Sequence, residues 1–147
     1  MKRGVEEKPS SAAVKVKWID GMRFVASDDK GHSIVMDDSK ENGGEGSGFS
    51  PMQLLLAALG GCTGMDVISI SRKQRQKLTD LEILVSGERV TDFPRVYDKV
   101  HADYRLRGSN LKEKAVQRAI QLSEGKYCSV GATIKKTAKL SHSYRLQ

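Results

Sequence analysis

A chain of 147 residues, 38% hydrophobic and 29% charged, has the size of one ordinary domain, with enough apolar content to bury a core and little to spare. The opening MKRGVEEKPSSAA has no apolar run of the kind a signal peptide needs, and the longest apolar segment is interrupted by Gly, Thr and Asp. A soluble, cytoplasmic protein with no membrane partner is therefore expected. The formal net charge of +7 would suit a polyanion, but one Trp, four Tyr and three Phe supply no aromatic ladder for stacking bases, and nucleic acid is not expected as a partner.

Residues 1–13 read as a disordered polar tail and 14–147 as a single domain. Three short strands are predicted at Val14–Ile19, Met22–Ser27 and His32–Asp37, separated by the turn signals Asp20-Gly21 and Asp28–Gly31. The Gly-rich stretch DSKENGGEGSG, Asp38–Gly48, is expected to be a mobile loop; its glycines fit neither a dinucleotide-binding nor a Walker pattern.

Ser50-Pro51 announces a helix, a capping residue followed by the proline that suits the first turn, which could run to about Lys77. Its last stretch, RKQRQK, is the densest basic run, and cations there favour the negative end of the helix dipole, so a solvated basic face is the simpler reading. Two alternating strands follow, with Leu81, Ile83 and Val85 on one inner face and Val96, Val100, Ala102, Tyr104 and Leu106 on the other. Asn110, with Glu113 three residues on, is read as the cap of a second helix that Gly125 ends. A third helix from near Cys128 to about Ala138 and a last strand through Leu140, His142, Tyr144 and Leu146 complete the order.

The first helix has no broad polar stripe. A single small sheet covers one side of such a helix, so a second copy of the chain is expected on the other, in a homodimer. Gly60, Gly61 and Gly64 each cost about 1 kcal/mol relative to alanine, which suggests close approach of another backbone or a ligand.

Two cysteines stand 66 positions apart, Cys62 and Cys128. In a reducing compartment they are not expected as a permanent disulfide, and neither sits in a CxxC or Cys/His spacing that reads as zinc, so no metal and no cofactor are expected. Thiol chemistry or simple packing remains. Cys128, at a predicted helix N-terminus, is expected to be the more acidic thiol. Asp66 lies one turn beyond Cys62 on the same side, where it would repel a thiolate, and a structural role is expected for it. His32, His101 and His142 are read as surface or satisfied residues.

The element order, with Cys62 inside SPMQLLLAALGGCTGMDV and Cys128 in GKYCSV, resembles the OsmC/Ohr family, and within it the YhfA-like branch. The resemblance covers nearly everything from Val14 onward. It implies an α+β fold, antiparallel sheets wrapped around long central helices in an intertwined homodimer. It also implies a thiol-dependent peroxidase that reduces organic hydroperoxides and is recycled by a thiol or dithiol reductant. On this resemblance Cys62 matches the attacking cysteine, Cys128 the resolving one, and Arg23 the arginine that holds the thiolate. Met52 stands where the peroxidases carry a glutamate, and Glu45 in the Gly-rich loop is a weak substitute. The alternative is a non-catalytic member that binds a small apolar molecule or senses oxidants.

Overall fold

The computed structural model describes residues 11–147. Most of the expected tail lies outside them; residues 11–13 are exposed and without regular structure. The chain separates into two compact units, one ending at Pro51 and the other spanning Met52–Gln147.

The first unit is an antiparallel meander of β1 (Lys15–Asp20), β2 (Arg23–Ser27) and β3 (Ser33–Met36), in the order β1-β2-β3. Both hairpins turn where the sequence signalled, through Gly21 and Gly31 at φ 46° and 89°, a left-handed conformation that only glycine adopts without strain. Asp28 closes the second turn by accepting from the backbone N–H groups of Lys30 and His32, each at 2.9 Å.

Residues 38–48 are more ordered than their glycines suggested. Asp37 Oδ1 accepts from the Asp38 N–H at 2.8 Å, while Oδ2 accepts from the N–H groups of Glu45 and Ser47 at 3.2 and 3.1 Å and from the Ser47 hydroxyl at 2.6 Å. This draws the loop into a closed knot. Gly44 is required there because a Cβ would stand 2.1 Å from the Asp38 carbonyl oxygen. Gly44 and Gly48 serve tight packing, while Gly43 and Gly46 supply positive φ of 87° and 65°; where a mobile loop was expected, the stretch is held by hydrogen bonds.

The second unit begins with α1 (Pro51–Lys73). Its proline start is where the sequence placed it, but it stops four residues before Lys77. Arg75 takes a positive φ of 55°, and Lys77 already begins β4 (Lys77–Arg89). Arg72 and Lys73 alone of the basic run occupy the last turn.

On α1 the buried residues Leu59, Thr63, Val67, Ile70 and Ser71 recur at helical spacing and form one inward stripe. The exposed stripe is itself apolar, including Leu55, Ala58, Gly61 and Met65, with Met65 75% exposed. By length and composition alone α1 is apolar enough to cross a membrane. A Cβ at Gly60 or Gly64 would lie 3.2 Å from Val85 Cγ2 or Ile83 Cδ1, whereas at Gly61 it would meet nothing within 4 Å. Two of the three glycines thus admit the side chains of the chain's own sheet.

β4 pairs antiparallel with β5 (Tyr97–Ser109), which pairs in parallel with β6 (Lys139–Leu146), giving the order β4-β5-β6. The parallel pair departs from an all-antiparallel expectation, because the helical segment between β5 and β6 supplies the crossover a parallel connection needs. A register shift at Glu88/Arg89 also moves the alternation by one. Tyr97, 8% exposed, replaces Val96, 39% exposed, as the inward residue at the start of β5.

α2 (Glu113–Leu122) is capped by Lys112, without a side-chain bond; Asn110 instead supplies a left-handed turn at φ 53°. Gly125 does not end it. The helix widens into a π-helical turn, Ser123–Tyr127, and then α3 (Ser129–Ile134) follows with Cys128 at its N-cap. One core cluster joins Val67, Leu106, Val116, Ala119 and Ile120, and a second joins Leu59, Tyr97, Val100, Cys128 and Ala138. The fold is α+β.

A paired-thiol candidate site

Two elements of the second unit, α1 and α3, converge on two thiols. Cys62 projects from the middle of α1, half-buried, and Cys128 caps α3 at 4% exposure. Asp66, one turn beyond Cys62, brings a carboxylate to the same place: one ligating atom from each of Cys62, Asp66 and Cys128 lies within 4.8 Å of the others. Cys128 belongs to the second core cluster, and Cys62 packs against that cluster as Met52, Leu56 and Val130 do, so both thiols border apolar side chains.

The environment of Cys128 reverses the expected acidity. Its Sγ accepts one N–H bond, from Gly131 at 3.3 Å, and α3 has six residues, too few to build a substantial dipole. Burial dominates and pushes the thiol up to about 11, with neighbouring Cys62 and Asp66 adding to the rise and the Gly131 N–H opposing it. Cys128 is a neutral thiol at neutral pH. The glycine is also sterically apt, since a Cβ there would sit 3.3 Å from Sγ.

Behind Asp66 runs a line of hydroxyls. Ser123 Oγ donates to Asp66 Oδ2 at 2.9 Å, Thr63 Oγ1 lies 2.9 Å from Ser123 Oγ, and the Tyr104 hydroxyl lies 2.7 Å from Thr63 Oγ1. Each hydroxyl has one proton. Because Ser123 spends its proton on Asp66, it accepts from Thr63, which in turn accepts from Tyr104. The order of donation is therefore Tyr104 to Thr63 to Ser123 to Asp66. Burial pushes Tyr104 up to about 12, with the nearby acid groups of Glu124, Cys128 and Asp66 reinforcing the rise against the Thr63 bond, so it remains a donor at neutral pH.

Asp66 also borders an open cleft of about 360 Å³ lined by Lys73, Arg118, Tyr127 and the apolar Ile70 and Leu122. His142 Nδ1 lies 2.8 Å from Glu124 Oε2 and stands edge-on to Tyr104, His32 Nδ1 lies 2.6 Å from Asp28 Oδ2, and His101 meets the hydroxyls of Ser141 and Ser143. All three histidines have local partners, as read from the sequence.

Of the expected site residues, Cys62 and Cys128 come together. Arg23 belongs to the first unit, where its Nε lies 3.2 Å from Asp20 Oδ1 without hydrogen-bond alignment. Glu45 is held in that unit through its N–H on Asp37. Sequence reasoning missed Thr63, Tyr104 and Ser123. A threonine beside Cys62 in an otherwise apolar helix, and a tyrosine on the core face of β5, were the available signals; the partner in the π-helical turn left none.

An α+β chain with a cysteine inside its long first helix and a second cysteine at a later helix cap has the architecture of the OsmC-like proteins. The family model described as OsmC-like protein matches residues 44–143, and the chain belongs to that family. It is 39% identical to Protein YhfA of Escherichia coli strain K12 over 132 residues, 90% of this chain and 96% of that one. Among solved structures, a hypothetical protein from Aquifex aeolicus VF5 is 31% identical with a TM-score of 0.82, covering 94% of this chain and 97% of that chain. The organic hydroperoxide resistance protein OsmC from Legionella pneumophila shares the fold at a TM-score of 0.69 and 14% identity, over 94% of this chain and 98% of that one.

Proposed function

We propose that this chain is a thiol-dependent peroxidase that reduces organic hydroperoxides through Cys62. The observation that carries the reading is the proximity of the two sulfurs, whose atoms lie within 4.8 Å, close enough to bond at about 2.05 Å after side-chain rotation. Cys62 attacks the outer peroxide oxygen; the S–O bond forms as the O–O bond breaks, and the alkoxide leaves with the thiol's proton as an alcohol. Cys62 is then a sulfenic acid. The Cys128 thiol condenses with it, the disulfide forms and water leaves, and an external dithiol returns both residues to thiols by exchange. The apolar cluster against which Cys62 packs favours a hydroperoxide with a greasy body. Within this reading Arg23 would hold the Cys62 thiolate, and a homodimer would cover the apolar stripe of Leu55, Ala58 and Met65 on α1.

The test follows consumption of tert-butyl hydroperoxide with dithiothreitol as reductant. Wild type turns over, Cys62→Ser is inactive, and Cys128→Ser accumulates a sulfenic acid that dimedone traps. Undiminished turnover by Cys62→Ser would sink the proposal.

A second reading is favoured by Met52, which packs on the thiols' core cluster where the peroxidases carry a glutamate. In it the protein is a non-catalytic sensor of oxidants or a binder of a small apolar molecule. Disulfide formation without turnover would select the sensor.

A further inference from the structure

We infer that Cys62, Asp66 and Cys128 form a binding site for a soft divalent cation, with zinc as the first choice. Two thiol sulfurs and one carboxylate oxygen lie mutually within 4.8 Å. A tetrahedral zinc with Zn–S bonds of about 2.3 Å and Zn–O bonds of about 2.1 Å sets its ligands roughly 3.6–3.8 Å apart. The three donors need to contract by only about an ångström, within reach of side-chain rotation. Cys62 and Asp66 stand four residues apart on α1, a spacing that puts two ligands on one helical face. Cys128 closes the set from another element, which is why no zinc spacing was legible in the sequence.

A second observation supports the site independently. Ligating carboxylates are held by hydrogen bonds from behind, and Asp66 Oδ2 already accepts from Ser123, backed by Thr63 and Tyr104. Asp66 also borders the open cleft, so one of the three donors faces a space that solvent and ions can enter. Paired sulfurs select zinc or cadmium over magnesium or calcium. On binding, each thiol releases its proton to solvent and both sulfurs become metal thiolates, so an occupied site withholds them from disulfide formation.

Cobalt(II) is the probe, added to the reduced, metal-free full chain. One ion per chain should bind with intense near-ultraviolet thiolate-to-cobalt absorption and tetrahedral visible bands. Cys62→Ser and Cys128→Ser should each lose most of that absorption. Ser123→Ala should weaken binding by about tenfold to a hundredfold, and Asp66→Ala by at least as much. One equivalent of zinc should protect Cys62 from iodoacetamide in wild type and not in Asp66→Ala, a readout that holds for folded variants only, as checked by circular dichroism. Absence of the charge-transfer band in wild type, or equal affinity in wild type and a folded Asp66→Ala, overturns the inference. Neither readout involves peroxide, so failure here is distinct from failure of the peroxidase assay.

Discussion

Among the described residues of the first unit the buried side chain is a carboxylate, Asp37 at 3% exposure, while Val16, Trp18, Ile19 and Phe49 stand 48–60% exposed. The second unit buries Val67, Leu106, Val116 and Ile120 to 1% or less, and two of its buried polar residues, Thr63 and Ser123, belong to a continuous hydrogen-bonded line. One unit is held in shape by backbone N–H groups gathered on an anion, the other by apolar area removed from water. A sheet of three short strands with exposed apolar residues has little independent stability. The candidate chemistry is collected in the unit that has a core of its own.

Cutting into each unit should break this contrast unequally. Leu106→Ala, at a fully buried position, should destabilise the second unit by about 2–5 kcal/mol, read as a lowered denaturant midpoint. Val16→Ala should move the same midpoint by less than about 0.5 kcal/mol for the monomer; a larger loss would show that this face is covered in solution. Thr63→Val keeps the volume and removes the central hydroxyl of the line, leaving the Tyr104 hydroxyl without its acceptor while Ser123 keeps its bond to Asp66, for about 1–3 kcal/mol.

Asp37→Ala should act locally. Hydrogen exchange at the Glu45 and Ser47 amides should accelerate while the second unit's protection stays unchanged. The pH dependence has a definite sign. Four donors, led by the Ser47 hydroxyl and N–H, hold Asp37 down at about 2 from 3.8. Its contribution is therefore present above the unfolded value, near pH 4, and is lost as pH falls toward 2. Cys128 works in the opposite direction. Its folded value of about 11 exceeds 9.0, so that contribution is full below pH 9 and is lost as pH rises toward 11, a high-pH slope that Cys128→Ala should flatten. Exposure predicts the smallest effect: at pH 8 iodoacetamide should modify half-buried Cys62 before Cys128.

Much of the fold was legible because its signals are local. Alternation located β4 and β5, the Asp-Gly turn located the first hairpin, and Pro51 located the start of α1. What failed depended on partners far along the chain. The loop at 38–48 looked mobile because its order comes from Asp37, which no glycine count reveals. The end of α1 was overrun because a single left-handed arginine, Arg75, breaks it. Val96 was placed inward because a bulge shifts the alternation at Glu88/Arg89. For the candidate site, the pairing of the two cysteines came from the resemblance to the OsmC/Ohr family, and the proximity of Asp66 to Cys62 from helical spacing. The hydroxyl line and the acidity of Cys128 could not, since both are set by burial against elements brought in by the crossover.

That crossover has a consequence for when the thiols can act together. In an unfolded chain two residues 66 apart are separated by roughly 45 Å on average, so one sulfur meets the other at an effective concentration of only millimolar order. Held within 4.8 Å, they meet at a concentration on the order of molar, several hundredfold higher. Any chemistry that needs both sulfurs at once, a shared bond or a shared ion, is thereby a property of the native chain and largely silent before β6 has docked beside β5.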